Sequence, residues 1–253
     1  MKAIILGSGS KGNSTLLISD KKKILIDVGF SYPKMKMLLN NYNTNFDEID
    51  GILVTHTHKD HISGLSSIVK KHHIKVYTNI IMYQELIKLI DEDSIIICED
   101  EYQIASFNIS TIHTSHDAIG SVGFIITDND NSLVYITDTG YINQCYMEKL
   151  MNKNLYIMES NHDIQLLMTG PYPYILKQRV VGDKGHLSNE MAGNYLKQII
   201  GNDTKKIVLA HLSETNNEPD IAINTISSIV PLKENNIALL VAKQDESIDV
   251  GAF

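Results

Sequence analysis

The sequence predicts an α/β (α+β) layered sandwich, on three observations. Short apolar runs rich in β-branched residues open the chain, a second group of such runs fills its middle, and segments of helical spacing cluster around them without strict alternation. In the first group, Lys2 to Leu6, Thr15 to Ser19, Lys23 to Asp27 and Gly51 to Thr55 read as strands bounded by Gly, Asp or Lys. Tyr32 to Asn40, Ser63 to His72 and Ile80 to Ile90 have the spacing of helices that cover a sheet face. Ile104 to Ile112 reads as a strand. Gly123 to Asp138 reads as a hairpin turning at Asp128-Asn129-Asp130-Asn131, since Asp and Asn tolerate tight-turn backbone. Leu155 to Met158 and Ile207 to Ala210 are expected as buried strands, and Ser188 as the cap of a helix running to Ile200. A helix over Ile221 to Val230 then precedes a last strand, Ala238 to Val241.

With 253 residues, 43% hydrophobic and 21% charged, the chain has ordinary globular composition and suits one domain over 1–253, or at most two closely fused halves. Only five prolines occur, and neither a linker nor an internal repeat is visible. Every apolar run stops well short of the ~20 residues a bilayer requires, so no membrane association is expected. The run from Met1 to Leu6 is too short for a signal peptide's central region. Cys98 and Cys145 lie far apart, which fits unreactive thiols in a reducing compartment and hence a cytoplasmic location. A formal charge of −8 counts against a large nucleic-acid footprint. A small footprint is still compatible, because two divalent cations would concentrate positive charge where a phosphate sits.

Directly after the fourth strand comes His56-Thr57-His58-Lys59-Asp60-His61. Imidazole nitrogens suit zinc and similar borderline ions, and a carboxylate lowers the net charge of a second ion close by. Alternate residues at a strand end share a face, so His56 and His58 point at one metal; a turn into a helix near Asp60 then directs Asp60 and His61 to a second. Further ligands stand where apolar runs enter turns: His116 in Thr-Ser-His-Asp, Asp138 in Ile-Thr-Asp-Thr-Gly and His211 in Leu-Ala-His-Leu-Ser. Asp138 has two oxygens with which to bridge both ions. Taken singly, these three also read as a loop residue, a turn former and a cap.

In order along the chain, His56, His58, Asp60, His61, His116, Asp138 and His211 resemble the metal motifs of the metallo-β-lactamase superfamily. Asp27 in Leu-Ile-Asp-Val-Gly resembles the motif that supports those ligands from behind. The resemblance implies a four-layer αββα sandwich with two divalent metal ions, zinc first and manganese or iron as alternatives. Ser8-Gly-Ser-Lys-Gly-Asn-Ser14, Glu159-Ser-Asn-His-Asp163, Gly185-His-Leu-Ser-Asn189 and His211-Leu-Ser-Glu-Thr-Asn-Asn217 are similar, over essentially the whole chain, to the YycJ (WalJ) group. That similarity implies an exonuclease acting on single-stranded DNA from the 5′ end. Thr57 and Lys59 stand where the group more often has Glu and Ser. The segment from Asp138 to His211 is too short for the inserted domain of the β-CASP nucleases, and residues 62 to 115 hold one Gly and no Pro, unlike the substrate arm of long-form tRNase Z. Asp138 in place of a Cys ligand argues against antibiotic hydrolysis.

Glu159 and His186 also resemble the paired Glu and His of tRNase Z, where the His donates a proton to the leaving oxygen. A His held by a carboxylate keeps its proton near neutral pH, as a general acid must. The resulting expectation is phosphodiester hydrolysis by metal-activated water, with Asp60 orienting the nucleophile and His186, held by Glu159, as general acid. For substrate, the loop from Ser8 to Ser14, with Ser8, Ser10 and Asn13, reads as a phosphate cradle, or simply as an economical exit from a strand. Tyr172, Tyr174, Lys177 and Arg179 read as stacking and phosphate contacts to single-stranded DNA or RNA, or as a loop packed on the sheet edge. His162 and Asp163 have no settled role, and His72 with His73 read as a solvated helix end. Two rivals stand beside this reading: hydrolysis of a small cyclic phosphodiester, thioester or lactone at the same metals, and a non-catalytic module that holds a nucleic-acid end or a partner protein.

Overall fold

The computed structural model describes residues 1–253, which fold into two compact units. The first comprises Met1–Thr111, Ala118–Val122 and Gln244–Ala252; the second comprises Ile112–Asp117, Gly123–Lys243 and Phe253. In chain order the strands are β1 (Lys2–Gly7), β2 (Ser14–Ser19), β3 (Lys22–Ile26), β4 (Gly51–Leu53), β5 (Val76–Thr78), β6 (Ile95–Ile97) and β7 (Glu101–Ile104). They continue as β8 (Phe107–His113), β9 (Val122–Asp128), β10 (Asn131–Ile136), β11 (Leu155–Glu159), β12 (Lys206–Ala210), β13 (Ala238–Val241) and β14 (Ile248–Ala252). The helices are α1 (Tyr32–Asn40), α2 (Lys59–Ile62), α3 (Leu65–His72), α4 (Ile80–Leu86), α5 (Met147–Leu150), α6 (Ile164–Thr169), α7 (Tyr174–Val181), α8 (Asn189–Ile199) and α9 (Pro219–Ile229). None is long and apolar enough to cross a membrane.

In the first unit the sheet runs β14-β1-β2-β3-β4-β5-β6. Pairing is antiparallel from β14 to β3 and parallel from β3 to β6. Both faces of its central strands are buried, which is why Ala-Ile-Ile-Leu and Ile-Leu-Ile read as unbroken apolar runs. Helices α1 and α3 bury Met35, Leu38 and Leu39, and Leu65, Ile68 and Val69 respectively. In the second unit the strands run β13-β12-β11-β10-β9, parallel except for the β9–β10 hairpin. One face packs Tyr156, Met158, Ile207 and Leu209 against Ala192, Leu196 and Ile199 of α8 and Ala222 and Ile226 of α9. Ser188 caps α8 as expected, accepting from the Met191 N–H at 3.2 Å.

Four details of the expected element order change. The run at Ile104 is not one strand: Ala105 takes a left-handed backbone (φ 54°) and folds β7 back on β8 as a hairpin. Val76–Thr78 and Ile95–Ile97 are strands too short to show periodicity against their flanking helices. Between Asp138 and His211 stand α5, α6 and α7 as well as the expected elements, and β13 is followed by β14, which closes the chain onto β1.

Candidate metal centre

In the first unit, the parallel register Ile24↔Gly51, Leu25↔Ile52, Ile26↔Leu53 ends β3 and β4 side by side. That alignment brings Asp27 beside Thr55 and His56. Asp27 leaves its strand in the left-handed region (φ 58°), a conformation that costs a non-glycine residue on the order of 1 kcal/mol and that recurs where a side chain must be aimed. Its carboxylate is wholly buried and accepts from the Thr55 N–H (2.8 Å), the Thr55 hydroxyl (2.8 Å) and His61 Nδ1 (2.7 Å). Burial pushes the Asp27 carboxyl up, against the pull of His61 and of the Thr55 hydrogen bonds. Because the Thr55 hydroxyl donates to Asp27, its oxygen accepts from His56 Nδ1 at 3.1 Å. Both histidines are thereby set in the tautomer whose lone pair lies on Nε2. Helix α2 starts straight after His58, so Asp60 and His61 occupy its first turn, with 3.4 Å between Asp60 Oδ2 and His61 Nε2. The His56 ring stands 4.7 Å from that of His58 and 4.0 Å from that of His61. Gly29 makes this packing possible: a Cβ there would lie 1.7 Å from the Asp60 carbonyl oxygen and 2.5 Å from the Asn13 nitrogen.

In the second unit, the registers Ile136↔Met158 and Glu159↔Ala210 align the carboxyl ends of β10, β11 and β12. Sites in parallel sheets form just beyond such ends. Asp138 and His211 both leave their strands left-handed (φ 56° and 55°), as Asp27 does in the first unit. Between them Glu159, fully buried, accepts from His186 Nδ1 (2.7 Å) and His211 Nδ1 (3.1 Å) on Oε1, and from the Thr139 and Leu187 N–H groups (3.1 and 3.0 Å) on Oε2. One carboxylate thus fixes two imidazoles and the backbone just past Asp138 and His186. Ligand atoms of Asp138, Glu159, His186 and His211 all lie within 4.8 Å of one another. Asp138 Oδ1 is 3.4 Å from His211 Nε2 and 3.9 Å from His116 Nε2, and His116 Nδ1 lies 3.3 Å from the Gly185 carbonyl. Burial works against the Glu159 charge, but the facing His186 and the hydrogen bonds from both imidazoles outweigh it and hold the carboxyl below the usual carboxylate range. Burial likewise pulls His186 down, and the Glu159 charge and hydrogen bond override it, so His186 is raised. His116 is lowered, chiefly by burial, which favours the neutral imidazole that binds a metal. Gly140 admits the neighbouring loop, since a Cβ would lie 2.2 Å from the Asp183 carbonyl oxygen.

These side chains fit divalent ions. A metal-ligating His characteristically gives its second ring nitrogen to a carboxylate, carbonyl or hydroxyl, and that partner is Asp27 for His61, Glu159 for His211, Gly185 for His116 and Thr55 for His56. A β-lactamase superfamily domain matches residues 22–212. Exodeoxyribonuclease YycJ of Bacillus anthracis is 34% identical over 90% of this chain and 89% of its own. The chain belongs to the YycJ/WalJ family of the β-lactamase superfamily. Exodeoxyribonuclease WalJ of Streptococcus pneumoniae is likewise 37% identical to this YycJ/WalJ-family chain over 89% of its length and 86% of the relative's. The metallo-β-lactamase fold protein YhfI of Bacillus subtilis superposes with a TM-score of 0.75 at 18% identity, covering 98% of both chains. The expected fold class is therefore established: it is the metallo-β-lactamase fold.

The residues expected to touch substrate are placed differently from the candidate ligands. Asn13 is fully buried and Ser8 nearly so, and the Ser8 hydroxyl donates to Asn13 Oδ1 at 3.2 Å. The loop amides turn inward: Gly9 donates to Asn13 Oδ1, Lys11 to Gln244 Oε1, Gly12 to the Gly9 carbonyl and Asn13 to the Asp60 carbonyl. The loop is thus a brace for Asp60 rather than a phosphate cradle, and Ser10 alone of the three named side chains is exposed. Lys177 Nζ caps the end of α6 through the Met168 and Gly170 carbonyls, and the Arg179 guanidinium pairs with Asp117, the neighbour of His116. Tyr174 is 74% exposed on α7. His72 is not merely solvated, since it bonds Asp47 and Tyr32, stacks on the Tyr32 ring and lies tilted against Phe46. Sequence reading missed Thr55, Asn161 and Gln244. Thr55 adjoins the histidine motif and was open to notice. Asn161, which donates to the His211 carbonyl at 2.9 Å, lies inside a quoted motif, whereas Gln244 reaches its loop across 233 positions and leaves no local signal.

Proposed function

We propose that this chain is a dinuclear metal-dependent exodeoxyribonuclease working in the cytoplasm as a single metallo-β-lactamase-fold domain, with zinc as its ion and single-stranded DNA, cut from the 5′ end, as its substrate. The observation that carries the reading is 34–37% identity over about nine-tenths of the chain to relatives named exodeoxyribonucleases, in a chain that has buried carboxylate–histidine pairs. The proposed ligands within the first unit are His56, His58, Asp60 and His61, and within the second His116, Asp138 and His211. The family domain model spans segments of both units, which supports their acting as one domain. Free Cys98 and Cys145 suit a reducing compartment.

When bound, the ions supply Lewis acidity: they activate water and neutralise charge on the phosphoryl oxygens. The protein supplies orientation and a proton. Asp27 and Glu159 lock His61 and His211 in ligand geometry, Asp60 orients the nucleophile, and His186 carries a proton on Nδ1 that Glu159 stabilises. In its protonated form His186 donates from Nε2 to the leaving oxygen. Tyr174 offers a face for base stacking, and Ser10 and Arg179 offer phosphate contacts, Arg179 once released from Asp117. End-labelled single and double strands, incubated with zinc, manganese or iron, test the reading. Stepwise release of nucleotides from single strands is expected, and absence of cleavage with every metal while a small phosphodiester or lactone is hydrolysed would sink it.

A further inference from the structure

In the first unit β3, β4, β5 and β6 run parallel, so their carboxyl ends share one edge of the sheet. Asp27, His56 and the start of α2 leave from the ends of β3 and β4 there, and α4 leaves from the end of β5. Asn79 shapes the surface at that edge. Its Oδ1 accepts from the Met82 N–H at 2.9 Å and caps α4, while its Nδ2 donates to the Gly120 carbonyl at 2.8 Å. The chain at 118–122 is thereby laid on the first turn of α4, and the Val122 N–H joins it to the Thr55 carbonyl at 2.9 Å, one residue before His56. The approach is close: a Cβ on Gly120 (φ 70°) would stand 2.9 Å from Asn79 Oδ1 and 3.1 Å from the Ile81 Cβ. Three isoleucines are brought together in this way, and all face water. Ile80 and Ile81 are 57% and 48% exposed, and Ile119 is 60% exposed. Single apolar side chains on a surface are ordinary, whereas a group of them beside candidate metal ligands marks a binding face.

Charge indicates the occupant. Lys59, directly after His58, is exposed and its ammonium meets no carboxylate, in a chain whose net charge is −8. A free cation next to an apolar face matches a polymer that alternates phosphate with unstacked bases, since bases pack on apolar side chains such as Ile inserted between them. We infer that Ile80, Ile81 and Ile119 form a docking face for the unstacked bases of a single strand, with Lys59 meeting a phosphate of the same strand. The inference deepens the exodeoxyribonuclease reading and rests on single-stranded DNA being the substrate. It also supplies an attraction that an acidic surface does not, because apolar contact, unlike contact between exposed charges, is not screened by salt.

The test is fluorescence anisotropy of the zinc-loaded protein with two labelled, phosphorothioate-protected strands of equal length, one of thymidine and one abasic, which carry the same backbone charge. Wild type is expected to bind the thymidine strand about 10-fold more tightly than the abasic one, the scale of a modest apolar contact. The double variant Ile80→Ser, Ile119→Ser is expected to lose most of that preference while binding the abasic strand as wild type does. Lys59→Ser is expected to weaken both strands by the same factor, about threefold, and so to keep the preference, as removal of a phosphate contact does. Equal affinity of wild type for the two strands, binding of neither, or an undiminished preference in the double variant would overturn the docking face, and so would self-association of wild type that the double variant abolishes. Unchanged affinity in Lys59→Ser would overturn the phosphate contact. Should the double variant not fold, Ile119→Ser alone decides, with a smaller preference expected and an unchanged one overturning the face. Tight, base-dependent binding by a wild type that cleaves no unprotected DNA with any metal would support the face and remove the exonuclease reading instead.

Discussion

Glu159 and His186 set what single residues contribute. His186→Ala removes a group that stands 3.7 Å from Asp138 but is bonded to Glu159. Metal content is expected to survive the change while turnover falls about 10²- to 10⁴-fold, the range for a lost general acid; metal analysis beside single-turnover kinetics checks both halves. The pair also gives the metal-free protein a pH signature. Glu159 sits below its usual 4.5, so its stabilisation is complete above 4.5 and is lost as pH falls through its folded value. His186 sits above its usual 6.5, so its stabilisation is complete below 6.5 and is lost as pH rises through its folded value. Thermal unfolding of chelator-stripped wild type and Glu159→Gln should therefore differ most between pH 4.5 and 6.5, with the gap closing on both sides. A gap that widens steadily above pH 7 would contradict this assignment.

Elements matter through where they stop. Strands β3, β10 and β12 each deliver a functional residue within two positions of their ends, and in each case it is a non-glycine residue with φ between 55° and 58°. Local strain is tolerated there because strand register and hydrogen bonds on both sides over-determine the backbone. At Gly29 two loops between strands approach one another closely. Gly29→Ala is expected to cost about 3 kcal/mol, the upper range for overpacking, because the Cβ meets backbone atoms of Asp60 and Asn13 that cannot rotate away; a urea midpoint reads this directly. Ser188→Ala removes the cap of α8 and is expected to cost about 1 kcal/mol. Equal stability of Gly29→Ala and wild type would mean that the loop has room the structure does not show.

At the scale of the whole molecule, charge and metal work together. If the two groups of carboxylates and imidazoles bind cations as proposed, loading should stabilise the fold by mass action, by about 2.7 kcal/mol at a hundredfold excess over Kd. Calorimetry with and without a chelator checks this, and identical melting curves would count against ligation. With 30 acidic against 22 basic residues and a net charge of −8, the overall field of the protein does not draw in nucleic acid. Binding of single-stranded DNA is expected to show a shallow salt dependence, equivalent to about two phosphates at ~0.7 per contact.

The sequence alone determined the family and supplied the candidate ligands in order, because imidazole and carboxylate chemistry is local and His56 to His61 places four candidates within six positions. It also determined Tyr32–Asn40 as a helix and Asp128 to Asn131 as a turn, where periodicity and turn chemistry act over a few residues. Tertiary structure decided the rest. Short strands such as Val76–Thr78 are specified by their neighbours in the sheet rather than by their own pattern. The loop from Ser8 to Ser14 looks like a phosphate cradle until its amides are seen to spend their hydrogens on Asn13, Gln244 and Asp60. Hydrogen-bond partners are chosen in space, and Gln244 stands 233 positions from the amide it satisfies, so no reading along the chain could have found it.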